Sequence, residues 1–262
     1  MTAGPDAAVT PAASGAAAPP KRRVPISLFR RSKRRGLTEI PGRADIWALS
    51  AVLLGYPDEE FYNMVPELDQ AIADLPDSAP ARRLGSFWTQ FKAQTPMDAR
   101  KHYVETFDLR RKCSLFLSYY LHGDTRQRGM ALLTLKQRYR AYGFTPQENE
   151  LPDYLPMVLE FAAYTGTGAG EGLLRTHRNG IELIVKALDA RKTFYAEILK
   201  AVTDILGPVT ERQMVAINEL ARTGPPTDTA GLDSPLAPYG ATLPGGPNVP
   251  FGPPEVTCSS KG

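Results

Sequence analysis

Cysteine and histidine are scarce in this 262-residue sequence, which has two of the former and three of the latter. Cys113 falls within a helical pattern and Cys258 in a polar tail, so their spacing suits neither a metal site nor a disulfide framework. His102, His122 and His177 lack the Glu-x-x-His or His-x-x-x-His spacing that brings two ligands onto one helix face. The spacing therefore predicts no metal site.

Long hydrophobic runs are also missing. The longest are only a few residues, such as AVLLG at 51–55, far short of the roughly 20 residues needed to cross a bilayer. The VPISLF stretch at 24–29 follows basic residues but is too short for a secretory signal. A hydrophobic content of 42% still allows a globular core, so the expectation is a soluble protein of the cytoplasm.

Charge is distributed unevenly along the chain. Residues 1–40 hold eight basic and two acidic side chains, which leaves 23 basic and 26 acidic for the remainder. Both ends are rich in proline and glycine, so 1–41 and 224–262 are predicted to be disordered tails around a helical domain at 42–223. The basic tail is expected to associate weakly with a membrane surface, and no nucleic-acid partner is expected.

Within 42–223 the apolar residues recur at helical spacing. One such stripe consists of Leu151, Leu155, Val158, Leu159 and Ala162, and a glycine followed by a proline ends another helical pattern at Gly207. No convincing pair of alternating strands occurs. The pattern predicts an all-α, single-domain bundle of about seven or eight helices.

The motif HGDTRQRG has the look of a phosphate-binding loop. It lacks a lysine and a preceding strand, however, and its second glycine lies inside a helical pattern. The simpler interpretation is a turn at Gly123, a cap from Asp124 or Thr125, and a helix whose first turn carries Arg126 and Arg128. Because two arginines oppose the helix dipole there, we expect Asp124 or another carboxylate to pair with them.

A second group of acidic residues lies around one predicted helix start. Glu150, Asp153 and Glu160 fall there, where the helix dipole favours negative charge. A general acid and base pair is conceivable at this place, but no substrate is indicated for it.

The blocks YVETFDL, HGDTRQRG and ELPDYLPMVLEF together resemble the NarJ family, the assembly chaperones or delta subunits of respiratory molybdenum-dependent nitrate reductase. The likeness covers nearly all of 45–210, in the family's order and spacing. The family belongs to the wider TorD-like redox-enzyme maturation chaperones, which are helical. The resemblance implies a non-enzymatic chaperone with a TorD-like fold, no catalytic residue and no stably bound cofactor.

The resemblance also implies partners. The chain would bind the N-terminal segment of the apo catalytic (alpha) subunit and hold it while molybdopterin guanine dinucleotide is inserted. It would then dissociate, so it would not be part of the mature enzyme. Contact with the cofactor-loading machinery would be transient.

The Glu-x-Pro-Asp-His signature of the wider TorD-like group falls on 150–154, with Tyr154 where histidine is common. This departure removes the titrating imidazole but keeps both carboxylates. From the matching blocks, the candidate peptide-binding residues are Tyr103, Phe107, Asp108, His122, Asp124, Arg126, Arg128, Glu150, Asp153 and Tyr154.

Two other classes of function stay open. One is a nucleotide-binding or small enzymatic helical domain that uses HGDTRQRG and the nearby carboxylates. The other is an adaptor that binds a membrane or nucleic acid through its basic tail, with binding that weakens steeply as salt is added.

Overall fold

The computed structural model of the chain describes residues 40–145, 150–166 and 168–226. These residues form α-helices joined by turns, and their one pairing of extended backbone is an isolated antiparallel bridge between Phe116 and Tyr154. The all-α prediction is therefore confirmed. The predicted tails at 1–41 and 224–262 lie almost entirely outside the described residues, so the domain limits stay a prediction.

Twelve α-helices occur in the described residues. In chain order they are α1 (Arg43–Leu53), α2 (Glu59–Asn63), α3 (Val65–Ala73), α4 (Ala79–Lys92), α5 (Pro96–Tyr103), α6 (Leu117–His122), α7 (Arg126–Ala141), α8 (Leu155–Thr165), α9 (Ala169–Thr176), α10 (Arg178–Ala190), α11 (Tyr195–Leu206) and α12 (Glu211–Thr223). A π-helical turn (Val104–Asp108) follows α5, and a 3₁₀ turn (Arg111–Cys113) precedes α6.

The helix count exceeds the predicted seven or eight because several helices are short. One is α2, which has five residues and begins where the Asp58 side chain accepts a hydrogen bond from the Phe61 backbone N–H. In addition, the pattern over GLLRTHRNGIELIVKALDA predicts one long helix, but in the structure this stretch forms two helices, α9 and α10, divided at His177. Both halves keep the same apolar face, so periodicity alone does not reveal the break.

The core lies between helices that are distant in sequence. The first helix, α1, packs mainly on α8 and also on α11, and α11 in turn packs on α4 and α10. Trp47, Phe87, Phe161 and Tyr195 are almost wholly buried there, and burial of such large apolar side chains is the main stabilising contribution.

Two backbone contacts join the start of α6 to the start of α8. The Leu117 N–H donates to the Asp153 carbonyl at 3.0 Å, and the Leu155 N–H donates to the Leu115 carbonyl at 2.8 Å. Residues 114–118 and 150–155 therefore lie side by side, next to the π-helical turn. No helix in the described part of the chain is long and apolar enough to cross a membrane.

Candidate functional site

A cavity of about 290 Å³ opens where these segments meet. Its walls come from the end of α5, the π-helical turn, the chain before α6 and the chain before α8. The lining residues are Tyr103, Phe107, Asp108, Ser114, Leu115, Phe116, Glu150, Leu151 and Tyr154. Five of the ten predicted peptide-binding residues thus share one cavity: Tyr103, Phe107, Asp108, Glu150 and Tyr154.

The floor of the cavity is aromatic. Tyr103 and Phe107 are almost fully buried, with ring centroids 5.0 Å apart, and Phe107 packs edge-on against Tyr195 of α11 at 4.9 Å. On the opposite wall, Phe116 and Tyr154 are 5.4 Å apart across the antiparallel bridge. These residues serve as core and as cavity lining at once, so a ligand in the cavity would contact the core directly.

Two tyrosine hydroxyls meet inside the cavity wall. The Tyr103 hydroxyl donates to the Leu54 carbonyl at 3.1 Å and lies 3.3 Å from the Tyr154 hydroxyl. Burial raises the pKa of both tyrosines, so both hydroxyls remain protonated in the physiological range. Tyr154 therefore supplies a neutral hydroxyl to the cavity.

Carboxylates give the cavity its charge. Asp108 is exposed at the end of the π-helical turn, and the half-buried Glu150 lines the same cavity. A further carboxyl, Glu160 on α8, has its pKa raised to about 7, first by burial and then by the negative charge of Glu150. The cavity thus combines an apolar floor with an acidic edge.

Asp153 lies outside the cavity and is fully buried. Its Oδ2 accepts hydrogen bonds from the Ser118 N–H at 3.0 Å and the Ser118 hydroxyl at 2.6 Å. The Arg128 Nε donates to the same hydroxyl at 3.2 Å, and its Nη2 lies 3.8 Å from Asp153 Oδ2. The Arg128 Nη1 donates to Asp124 Oδ1 at 3.3 Å. This Asp153 network joins the starts of α6, α7 and α8, so Asp153 acts by holding backbone in place.

The HGDTRQRG segment behaves as a helix-to-helix turn. Gly123 has a φ of 57°, and a Cβ there would lie 1.6 Å from the Pro226 carbonyl oxygen. The chain after α12 therefore covers this backbone. The predicted pairing of an arginine with a carboxylate is confirmed at Arg128. His122 and Arg126 join neither the cavity nor the Asp153 network; His122 ends α6, and Arg126 is exposed at the start of α7.

Sequence reasoning missed four lining residues: Ser114, Leu115, Phe116 and Leu151. Ser114, Leu115 and Phe116 lie in chain without helical periodicity, and the Phe116–Tyr154 bridge joins positions with no shared local pattern. The apolar stripe predicts Leu151 as a buried helical residue, but it precedes α8 and is 42% exposed. The π-helical turn was also missed, although such turns are frequent at functional sites. It is marked by the Leu109 N–H donating to the Val104 carbonyl at 3.1 Å.

A second, polar cavity of about 270 Å³ lies beside His102. His102 contacts the Thr193 hydroxyl at 2.7 Å and the Gln94 amide at 3.3 Å, and burial lowers its pKa. Among the described residues, no group of three or more His, Cys, Asp or Glu side chains could hold a metal ion.

Comparison with known proteins gives a family match. Residues 58–201 match the family model described as "Nitrate reductase delta subunit". The chain is 33% identical over 163 residues to a Bacillus subtilis (strain 168) protein named as a nitrate reductase molybdenum cofactor assembly chaperone, NarJ, covering 62% of this chain and 89% of that one. The Escherichia coli (strain K12) NarJ of the same name is 31% identical over 167 residues, covering 63% and 70%.

Two further similarities differ in extent. The nitrate reductase-like protein NarX of Mycobacterium tuberculosis (strain ATCC 25618 / H37Rv) is 37% identical over 169 residues, but the match spans only 25% of that protein. A solved structure described as a redox enzyme maturation protein from Archaeoglobus fulgidus is 23% identical, with a TM-score of 0.48, covering 67% of this chain and 100% of that one.

Proposed function

The chain belongs to the nitrate reductase delta subunit family, and on that premise we propose that it is the assembly chaperone of a nitrate reductase. The relatives named above as NarJ are cofactor assembly chaperones and not enzymes, which supports the class. In this proposal the chain binds the N-terminal segment of the apo catalytic subunit, supports insertion of the molybdenum cofactor, and leaves before the mature enzyme forms.

The observation that carries the proposal is the cavity between the π-helical turn and α8. It is lined by Tyr103, Phe107 and Asp108 from one family block, and by Glu150 and Tyr154 from another. An amphipathic peptide helix binds a groove through apolar anchors on one face, and an aromatic floor suits such an anchor. The acidic edge suits a peptide with basic residues beside that anchor, mainly by orienting it and raising its encounter rate.

The cavity is small for a whole peptide. At about 290 Å³ it has room for one or two side chains, so most of a bound helix would lie over the surrounding surface. Leu151, which is 42% exposed, and the exposed Leu109 near the end of the π-helical turn would extend the apolar contact. The proposed complex therefore has one anchor in the cavity and a shallow contact around it.

Isothermal titration calorimetry tests the proposal directly. The full chain is titrated with the N-terminal peptide of the nitrate reductase catalytic subunit from the same organism and, separately, with GTP and ATP. We expect saturable one-to-one binding of the peptide. Nucleotide binding without peptide binding would instead support the nucleotide alternative and overturn the proposal.

Variants locate the peptide. Leu151→Ser removes an exposed apolar contact, and Asp108→Asn with Glu150→Gln removes the acidic edge; each should weaken peptide binding by about tenfold. Glu67→Gln on α3 is the matched control, because it neutralises an exposed carboxylate that does not line the cavity. Unchanged affinity in both cavity variants would place the peptide elsewhere.

The cofactor enters the proposal only through the client. We propose that molybdopterin guanine dinucleotide is inserted into the catalytic subunit while the chaperone holds it, in the cytoplasm, with transient contact to the loading machinery. If so, chaperone purified together with apo client should release it once the client is loaded. Persistent binding to loaded enzyme would contradict this order.

A further inference from the structure

The outer face of α7 has an unusual charge balance. The helix, RQRGMALLTLKQRYRA, carries five basic residues and no acidic one. Arg128 is held by the Asp153 network, but the others are exposed and make no ion pair with any described residue: Arg126, Lys136, Arg138 and Arg140. The remaining chain beyond residue 40 has an excess of acidic residues, so this positive face is a local concentration of charge.

The same face also exposes apolar side chains. Met130 is 65% exposed and Leu133 is 47% exposed, and residues three apart lie on one side of a helix. Leu135 and Tyr139 point the other way and are buried, Tyr139 through its hydroxyl to the Pro152 carbonyl at 2.6 Å. The outer face of α7, defined by Arg126, Met130, Leu133 and Arg140, is thus basic and partly apolar at once.

We propose that the outer face of α7 docks on an anionic lipid bilayer. Basic side chains near such a surface each strengthen binding by roughly fivefold, and apolar residues between them insert shallowly among the headgroups. With 16 residues, α7 would lie along the surface for about 24 Å.

A lipid surface suits this face better than an acidic protein does. Protein interfaces are usually centred on aromatic or arginine anchors that fill pockets. No α7 residue lines either cavity, and the exposed apolar side chains of the face, Met130 and Leu133, are not aromatic. The two arginines and two apolar side chains of this face require no pocket in their partner, and a bilayer offers none.

Vesicle co-sedimentation with the full chain tests the proposal. The chain is mixed with vesicles of phosphatidylcholine alone or with phosphatidylglycerol added. We expect binding only to the anionic vesicles, and a loss of roughly thirtyfold in Arg126→Gln/Arg140→Gln, since two charges are removed. The matched control, Arg191→Gln/Lys192→Gln, removes two exposed charges from the loop after α10 and should bind like the wild type.

A fluorescent label distinguishes α7 from the basic tail, which is present in every variant. Leu133→Cys is labelled with an environment-sensitive dye in a Cys258→Ser background, because Cys113 is only 1% exposed. A blue shift is expected at 133 on anionic vesicles, and none for a dye at Gln90→Cys on α4. No shift at 133, equal binding of the α7 variant, or no binding of the wild type to anionic vesicles would each overturn the proposal.

Discussion

The two glycines of HGDTRQRG meet opposite requirements. Gly123 has a φ of 57° and is covered by Pro226, whereas Gly129 lies in the interior of α7 with no atom within 4 Å of an added Cβ. Gly123 therefore has a backbone conformation that other residues rarely adopt, whereas the position of Gly129 does not require glycine.

We expect Gly123→Ala to lower the free energy of unfolding by about 2 kcal/mol, because it combines a strained φ with a clash against Pro226. Gly129→Ala should raise it by up to about 1 kcal/mol through improved helix propensity. Urea denaturation followed by circular dichroism measures both. Equal effects in the two variants would contradict this assignment.

Asp153 and Asp124 contact the same arginine from opposite environments. Asp153 is 0% exposed and Asp124 is largely exposed. Asp153→Ala leaves the buried Ser118 N–H and hydroxyl without their acceptor, so we expect a loss of about 3 kcal/mol in the free energy of unfolding. Asp124→Ala should cost less than about 1 kcal/mol, as for other exposed ion pairs. A mild effect of Asp153→Ala would show that this carboxylate is not structural.

These residues mark the limit of prediction at the residue scale. The pairing of Arg128 with Asp124 follows from the sequence, because two arginines at a helix start require a nearby anion. The burial of Asp153 does not follow, because its partner Ser118 is 35 positions away. The sequence indicates that a carboxylate near a helix start is electrostatically favoured there, but it does not indicate which backbone groups that carboxylate binds.

At the scale of elements, α8 contains a carboxyl group whose charged form is destabilised by its surroundings. The pKa of Glu160 is raised to about 7, by burial first and by Glu150 second. The folded protein thus holds this proton more tightly than the unfolded chain does. Its contribution is favourable at low pH, and stability is lost as the pH rises from the unfolded pKa through about 7.

Glu160→Gln removes that penalty. We expect it to raise the free energy of unfolding by about 3 kcal/mol near pH 8, and by less than about 1 kcal/mol near pH 5. Thermal melts at the two pH values give the comparison, with the exposed Glu67→Gln as control. A gain that did not depend on pH would point to packing instead of ionisation.

Local pattern predicts those elements whose apolar stripe is unbroken. Four members of the predicted stripe, Leu155, Val158, Leu159 and Ala162, are buried, and α11 ends at Gly207 as its glycine and proline suggest. The fifth, Leu151, was wrongly predicted as buried, because it precedes α8 and is 42% exposed. The π-helical turn and the Phe116–Tyr154 bridge depend on contacts between separate segments, which no local period encodes. Local pattern therefore does not predict the cavity. The resemblance to the family names its aromatic and acidic residues at 103–108 and 150–154, but none of those before α6.

At the scale of the whole molecule, nearly all buried apolar side chains of the described residues form one cluster, which includes residues of α1, α4, α8, α10 and α11. Its two tryptophans, Trp47 and Trp88, lie on different helices, α1 and α4. Because these helices share one core, neither should lose its packing independently.

We therefore expect tryptophan fluorescence and helical circular dichroism to report the same unfolding midpoint in urea. Gly123→Ala should shift both midpoints together, although it lies outside this cluster. Two separate transitions would show instead that part of the bundle unfolds by itself.

The packing of α1 on α8 and α11 has a consequence for biosynthesis. Arg43 at the start of α1 pairs with Glu171 of α9 at 2.7 Å, across a sequence separation of 128 residues. During translation, α1 leaves the ribosome long before its partners are synthesised, so its apolar face stays exposed until they appear. Since contacts between distant residues slow folding and leave apolar surface exposed meanwhile, we expect the nascent chain to depend on general chaperones until α11 emerges.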